Sequence, residues 1–255
     1  LSVFCRGRRE QLEALLEPTP FELRDDRFLV SVADFSNVVN SRGSSDHPYY
    51  DAALVLPVRY GDVAGGSYYF EWENDNWQVI SGRELWGYPK HFAAIEMIDG
   101  GFGVQARVSL GDQVHLTADL IFDDGVTNEA WSDTAFYPHL QVRAVPQING
   151  PGFDSLDVIT RNTSLDYELL ERRRGRANVT LGESLRVGGE PLEIVEVLGG
   201  GRPWVATPTA CLRSLREPRP AAPHPSVRAA GAPARGRPVP ARRPGSGAGS
   251  PPGTG

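Results

Sequence analysis

The most informative residue of the chain is Lys90, because it is the only lysine among 26 Lys and Arg residues. Arginine serves wherever only a positive charge is needed, but a guanidinium stays protonated, whereas an amine can lose its proton and attack a carbonyl carbon. Such an attack gives an imine, whose protonated nitrogen accepts the electron pair of a carbanion that forms beside it. The count therefore favours decarboxylation, aldol chemistry or dehydration at Lys90, and the alternative is a surface lysine on a turn after Pro89.

The neighbours of Lys90 have the composition of a site that lowers the pKa of an amine. Trp86, Tyr88 and Phe92 supply low-polarity bulk around it. Burial against such groups penalises the ammonium form and so lowers its pKa. His91 follows directly and would add a second, pH-dependent positive charge with the same effect. We therefore predict a free amine at Lys90 near neutral pH.

The motif around Lys90 resembles that of a known family. Gly82-Arg83-Glu84 followed by Tyr88-Pro89-Lys90 is similar to the active-site motif of the acetoacetate decarboxylases. A looser similarity covers most of residues 1–200 and none of 201–255, and it runs through 12–23, Pro57, 138–142 and 148–150.

The resemblance assigns roles to individual positions. It implies that Lys90 is the Schiff-base lysine. The residues expected to be catalytic are Lys90, Glu84 and Asp51, and those expected to bind substrate are Arg83, His91 and Tyr88. Simpler interpretations remain for three of them: Glu84 as a salt-bridge partner of Arg83, Asp51 as a solvated turn residue, and His91 as a packing residue.

Two of these positions depart from the family pattern. His91 stands where the decarboxylases have a second lysine, so the positive charge next to Lys90 would depend on pH. Asp51 stands where a glutamate is usual, and its carboxylate reaches about one bond length less far, which matters for the geometry of attack. Members of the family with such changes resemble aldolase- or dehydratase-type Schiff-base enzymes.

The resemblance implies a carbon–carbon lyase that decarboxylates a small β-keto acid, with acetoacetate as the first candidate, giving acetone and carbon dioxide through an imine on Lys90. It implies no metal, no cofactor and a homo-oligomer. One alternative is an aldolase-dehydratase that acts on pyruvate-like 2-oxo acids. The alternative from another class is a non-catalytic domain that binds a small ligand.

The elements that must position Lys90 are mostly strands. Alternating apolar and polar residues over 94–124, with reversals at Asp99-Gly100, Gly111-Asp112 and Asp124-Gly125, predict an antiparallel meander. Further β-rich segments are 28–33, 53–60, 67–72, 140–145, 157–160, 165–170, 177–181 and 192–197, with a loop at 61–66. Helical patterns are limited to 8–16 and 128–134. We predict a mainly β fold of the α+β class, with antiparallel sheets curled into a closed or cone-like barrel and few short helices.

The composition divides the chain into two parts. Residues 201–255 hold nine Arg against one Glu, together with 12 Pro and 8 Gly. This is the composition of a low-complexity, disordered segment. We therefore predict an acetoacetate decarboxylase-like domain at 1–200 and a disordered tail, rich in Pro, Gly, Ala and Arg, at 201–255.

The composition also limits the partners. Residues 1–200 hold 17 basic and 31 acidic side chains, which argues against nucleic-acid binding. No apolar stretch has the length of a membrane span, and the start has no signal-peptide pattern. The histidines are too widely spaced to predict a metal site. We therefore expect a cytoplasmic protein whose partner is a small keto acid, with no nucleic acid and no membrane.

Overall fold

The computed structural model describes residues 1–35, 48–162, 168–206 and 227–228. Within them the chain is mainly β, and no helix has the length and hydropathy that a membrane span requires. The helices are α1, Arg9–Leu16, and α2, Asn76–Ser81, and a π-helical turn, Gly82–Trp86, follows α2 directly. The strands are β1 Ser2–Gly7, β2 Glu22–Leu23, β3 Arg27–Phe35, β4 Tyr49–Tyr60, β5 Val63–Glu73, β6 Lys90–Phe92, β7 Ala94–Gly100, β8 Gly103–Leu110, β9 Gln113–Phe122, β10 His139–Pro146, β11 Phe153–Arg161, β12 Glu168–Leu181, β13 Arg186–Val187, β14 Glu190–Pro191, β15 Ile194–Ala206 and β16 Val227–Arg228.

Most of the described strands belong to one sheet. Its order is β16-β11-β10-β5-β4-β3-β1-β15-β12-β9-β8-β7, while β2 pairs with β4, β6 pairs with β5, and β13 and β14 form a separate ribbon. Among the described strands this path does not return from β7 to β16, so the closed barrel that the sequence predicts is not found. The end strand β7 carries Glu96 and Asp99, and charged side chains are typical of an unpaired edge.

The predicted meander is confirmed as β7, β8 and β9, which pair in antiparallel register. Its alternation has the expected physical cause, because Val104, Ala106 and Val108 are buried on one face while their neighbours are half-buried or exposed. The helix predicted at 8–16 is confirmed as α1, which buries Leu12 and Leu16 against the main core.

The strand β4 is buried on both faces. All of its residues from 51 to 58 are buried. Ala52, Leu54 and Leu56 belong to the main hydrophobic core, whereas Ala53 and Val55 belong to a smaller apolar cluster. Because side chains alternate along a strand, these two sets lie on opposite faces of the sheet. A strand covered on both sides explains the nearly continuous apolar run of its sequence.

Some elements differ from the sequence prediction. The segment 128–134 is a series of turns rather than a helix, and its Trp131 stacks on Phe4 at 4.8 Å between ring centroids. The stacking of Trp131 on Phe4, rather than the formation of a helix, holds this segment against the sheet. The loop predicted at 61–66 is a tight turn, because Tyr60 already pairs with Val63. The strand β1 has no counterpart in the prediction.

The C-terminal part of the domain contains two long strands. Segments 165–170 and 177–181 were expected as separate strands, but β12 runs without interruption from Glu168 to Leu181, and residues 163–167 lie outside the described residues. The last strand, β15, continues through Ala206, past the expected boundary at residue 200. Apart from the end of β15 and the short strand β16, the predicted tail lies outside the described residues.

Candidate active site

The segment that carries Lys90 is held by α2, the π-helical turn and β6. Asp75 caps α2 by accepting a hydrogen bond from the backbone N–H of Gln78 at 2.9 Å, which satisfies one of the free donors at the start of a helix. The π-helical turn ends at Gly87, whose φ of 74° lies in the left-handed region. An added Cβ there would lie 2.6 Å from the carbonyl oxygen of Val142. Gly87 is therefore required both by the backbone conformation and by space, and it directs the chain into β6.

A β-bulge in β5 determines which side chains meet Lys90. Ala52 pairs with Trp72 and Leu54 with Tyr69, so two residues of β5 lie opposite the single residue Ala53. One of the two is Phe70, with a positive φ of 49°. An extra residue of this kind shifts the alternation of side chains along the strand by one.

Because of the bulge, Tyr68 and the acidic residues Glu71 and Glu73 face the same side of the sheet. In the register, Asp51 lies beside Glu73, and Lys90 of the parallel strand β6 lies beside Glu71. Neighbouring residues of paired strands share a face. Three carboxylates and the only lysine of the chain therefore converge on one point.

The amine of Lys90 is buried and bound by carboxylates. Nζ donates hydrogen bonds to Oδ2 of Asp51 and to Oε2 of Glu73, each at 2.8 Å. Oε1 of Glu71 lies 3.6 Å from the same nitrogen. The side chains of Glu71 and Glu73 are 2% and 0% exposed, and that of Lys90 is 12% exposed. The group is thus a nearly dry ion cluster with limited access to the amine.

The pKa of Lys90 is shifted in the direction opposite to the sequence prediction. Burial lowers it, but the combined attraction of Asp51, Glu71 and Glu73 outweighs burial and raises the pKa above its ordinary value. The free amine predicted near neutral pH is therefore wrong for the ligand-free protein, which holds an ammonium. The bulky neighbours of Lys90 could be read from the sequence, whereas the three carboxylates are assembled only by the fold.

The carboxylates of the cluster hold protons more tightly than ordinary glutamates. Burial raises the pKa of Glu73 to about 7. Burial and the nearby charge of Asp51 raise the pKa of Glu71 well above its usual value. Oε2 of Glu71 and Oε1 of Glu73 are buried without a hydrogen-bond partner among the described residues. Glu73 is therefore near its midpoint at neutral pH, and Glu71 also holds a proton more tightly than an ordinary glutamate.

A hydrogen-bonded chain of two tyrosines and a histidine lies next to the cluster. The ring of Tyr88 is 5.7 Å from Nζ of Lys90. Its hydroxyl lies 2.7 Å from Nδ1 of His139, and the hydroxyl of Tyr68 lies 3.3 Å from Nε2 of the same ring. Burial, followed by the charge of Arg161, lowers the pKa of His139 to about 3. A neutral imidazole has one donor and one acceptor nitrogen, so it can link both hydroxyls at once.

A sequence profile of the acetoacetate decarboxylase family matches residues 1–209. The chain belongs to this family. A curated relative, acetoacetate decarboxylase 3 of Mesorhizobium japonicum, is 28% identical over 149 residues, which are 57% of this chain and 55% of that protein. The chain thus spans about half the length of this relative.

Solved structures share the acetoacetate decarboxylase fold. The acetoacetate decarboxylase of Legionella pneumophila has a TM-score of 0.64 at 16% identity, over 80% of this chain and 79% of that one. The enduracididine biosynthesis enzyme MppR, complexed with pyruvate, has a TM-score of 0.60 at 14% identity, over 80% of this chain and 82% of that one. At these identities the likeness is one of fold.

The structure brings together half of the acetoacetate decarboxylase-like site that the sequence predicts. Lys90 and Asp51 are in direct contact, and Tyr88 is buried beside them. The other three expected residues, Glu84, Arg83 and His91, have exposed side chains.

The position of each of these three residues explains why its side chain does not contact the amine of Lys90. Glu84 lies on the outer side of the π-helical turn. The guanidinium of Arg83 donates to the backbone carbonyl of Lys90 at 3.0 Å, so it holds the main chain of β6. His91 alternates with Lys90 along β6 and pairs with Trp72, on the opposite face.

Sequence reasoning missed Glu71, Glu73, His139 and Tyr68. A signal for the first two was present, because Glu71-Trp72-Glu73 places two acidic residues at a spacing that puts both on one face of a strand. Their strand is rich in aromatic residues, and acidic side chains are rarely buried without a partner.

Within the described residues no three His, Cys, Asp or Glu side chains are arranged to hold a metal ion.

Proposed function

We propose that this chain is a Schiff-base lyase that decarboxylates a small β-keto acid, converting acetoacetate to acetone and carbon dioxide through an imine on Lys90. One observation carries the proposal: the only lysine is buried, with its amine 2.8 Å from Oε2 of Glu73. Burial raises the pKa of Glu73 to about 7, which makes this carboxylate a stronger base than an ordinary glutamate. Transfer of a proton from Nζ to Glu73 leaves a nucleophilic amine.

The amine becomes reactive when its proton passes to Glu73. In the ligand-free site the ammonium is favoured by three carboxylates. A substrate that enters the site displaces water, and burial penalises a charged pair more than a neutral one. Transfer of the proton from Nζ to Oε2 of Glu73 replaces that pair by a neutral amine and a neutral acid. Their 2.8 Å separation already has the geometry for this transfer.

The bond changes then follow from the chemistry of an imine. The Nζ lone pair attacks the keto carbon, and the carbonyl oxygen leaves as water after it receives protons from the cluster. The protonated imine draws in the electron pair of the bond to the carboxylate, which leaves as carbon dioxide. The resulting enamine takes a proton at carbon, and water releases acetone and restores the amine.

The charge of the cluster suits an anionic substrate. The iminium on Lys90 offsets one negative charge of the cluster, and each proton that Glu71 or Glu73 holds removes another. The substrate carboxylate is therefore repelled less than it would be by three ionised carboxylates. The raised pKa of Glu71 also suits this residue to deliver a proton to the departing oxygen or to the enamine carbon.

A second candidate is an aldolase-dehydratase that forms the same imine with a pyruvate-like 2-oxo acid. It is supported by the fold shared with MppR, which was solved with pyruvate, and by His91 and Asp51 in place of the lysine and glutamate usual in the decarboxylases. Both candidates need Lys90, and they differ only in the carbonyl compound that it captures.

Borohydride reduction tests both candidates. The protein is incubated with acetoacetate or with pyruvate, reduced, and its mass is measured, with Lys90→Arg as the matched control because arginine keeps a positive charge among the three carboxylates. The proposal expects a stable adduct that maps to Lys90 and is absent from the control. An adduct with acetoacetate would favour the decarboxylase, and an adduct with pyruvate would favour the aldolase-dehydratase. Absence of an adduct with either acid, in protein shown to be folded, would overturn the imine mechanism and leave a ligand-binding domain.

A further inference from the structure

A cavity of about 320 Å³ lies on the same face of the sheet as the carboxylate cluster. It crosses six strands, from Tyr68 on β5 through β4, β3, β1 and β15 to Arg172 and Arg174 on β12. At about 4.8 Å per strand, this path is roughly 24 Å when measured along the sheet, and because sheets twist and curve this contour is an upper limit on the length of the cavity. Cavities of this volume hold ligands much larger than acetoacetate.

The floor of the cavity is made by residues with little or no side chain. Ser2, Ser31 and Gly201 lie where the three central strands cross it. Larger side chains at these positions would fill the space. The cavity is therefore built into the sequence of the sheet, and it is not a gap left by a poorly packed loop.

The wall of the cavity is aromatic and well anchored. Trp131 stacks on Phe4. The indole also lies over Gly199, where an added Cβ would be 2.8 Å from the ring. Phe136 belongs to the same apolar cluster as Phe4 and lines the cavity too. These contacts make the middle of the cavity apolar and hold its wall in place.

One end of the cavity is positively charged. Arg172 and Arg174 alternate with Arg173 along β12, so both face the cavity, whereas Arg173 packs over the ring of Phe122 at 3.8 Å. The side-chain hydrogen bonds and ion pairs of the described residues include Arg173 and Arg176 of this strand but neither Arg172 nor Arg174. Two arginines on one face of a strand that are not neutralised by a carboxylate favour the binding of an anion.

The other end of the cavity lies next to the candidate active site. Tyr68 and His139 line it, and both contact the ring of Tyr88. Tyr88 in turn lies 5.7 Å from Nζ of Lys90. A single aromatic ring therefore separates this end from the amine.

We propose that the cavity binds the distal part of an elongated acidic substrate. Its anionic end group would pair with Arg172 and Arg174, its apolar chain would cross the floor, and its carbonyl end would extend past Tyr68 and His139 towards Lys90. The assignment of the carbonyl end rests on the proposed function. The substrate class of the proposed lyase then includes keto acids with a second anionic group far from the carbonyl.

Calorimetric titration of the full chain with decanoate and 1-decanol tests this proposal. The two compounds have the same chain length and differ in the carboxylate that Arg172 and Arg174 would bind, and neither has a keto group. We expect the acid to bind at least about tenfold more tightly than the alcohol. The advantage should disappear in the double variant Arg172→Ala/Arg174→Ala and persist in Arg176→Ala, which removes an arginine of the same strand that pairs with Asp123.

Three results would overturn the proposal. The first is equal affinity of the acid and the alcohol, and the second is an equal loss in Arg176→Ala. The third is a change in the oligomeric state of the double variant at unchanged affinity, which would make this face a subunit interface. Arg172→Gln/Arg174→Gln serves as a second pair if the alanine variant does not fold. Because the probes cannot form an imine, failure of the trapping experiment and failure of this one are independent.

Discussion

Gly82 leaves the space that the side chain of Lys90 fills. A Cβ at position 82 would lie 2.6 Å from Cδ and 2.8 Å from Cε of Lys90. The backbone of Gly82 is helical, with φ of −62°, so this conformation does not itself require glycine. The glycine of the motif is thus explained by Lys90, because the methylenes of this lysine pack directly on Gly82.

Substitution Gly82→Ala should therefore displace the amine without unfolding the protein. The new methyl group overlaps the lysine methylenes, while alanine itself is about 1 kcal/mol better than glycine in a helical conformation. We expect the rate of imine formation to fall at least about tenfold, since small misplacements of a nucleophile are costly. Borohydride trapping and thermal unfolding measure the two effects. Ser81→Ala is the control, and an equal loss in that variant would contradict the steric explanation.

Removal of the Lys90 charge should destabilise the fold at neutral pH. Because its pKa is raised above the ordinary value of 10.5, Lys90 stays charged throughout the neutral range, and the lower pH limit of its ion pairs is set by the carboxylates. Lys90→Ala leaves the carboxylates without a partner, which costs about 3–5 kcal/mol for a buried pair. The loss should shrink at acidic pH, where the carboxylates take up protons. Denaturant unfolding at several pH values tests this, and Lys90→Arg should retain most of the stability.

Glu73 should control the pH dependence of imine formation. It must be ionised to accept the proton of Lys90, so the rate should rise as the pH increases through about 7. Glu73→Gln should lower the rate at neutral pH by about 100-fold, the lower range for general base catalysis, and should remove this rise. Stopped-flow or quenched trapping across pH measures both. A rise that persists in the glutamine variant would assign the proton acceptor to another group.

His139 should make the fold sensitive to acid. Its pKa is lowered from 6.5 to about 3, so below pH 6.5 the unfolded chain binds a proton that the folded protein does not. Stability is therefore lost as the pH falls from about 6.5 towards 3, by up to about 5 kcal/mol. His139→Gln should flatten this part of the stability profile, because the amide can bond both tyrosines but does not titrate. An unchanged slope would show that His139 is charged in the folded protein.

Glu84 should contribute little to the imine. Its side chain is exposed on the π-helical turn, and exposed substitutions of this kind change stability by about 0.5 kcal/mol or less. We expect Glu84→Ala to leave the yield of trapped adduct within about twofold of the native value. Glu71→Gln, which changes a buried member of the cluster, should alter it by much more. The reverse order of effects would restore Glu84 as a catalytic carboxylate.

The sequence alone was sufficient for the family motif and most of the sheet. A single lysine in a chain of arginines selects Lys90 as the proposed nucleophile, because only an amine can lose its proton and attack a carbonyl. The meander β7–β9 follows from alternation and turn residues, which are local properties of a chain. Asp51 was selected by the resemblance to the family motif, and the fold places it in contact with Lys90.

The tertiary structure alone decided the charge of that lysine. The bulge at Phe70 turns Glu71 and Glu73 to the face of Asp51, and the parallel pairing of β6 brings Lys90 beside them. A bulge breaks the period of two on which strand predictions rely, and parallel pairing joins residues that no local pattern connects. The pKa of an amine depends on charges within a few ångströms, so its direction could be known only after the fold had assembled those charges.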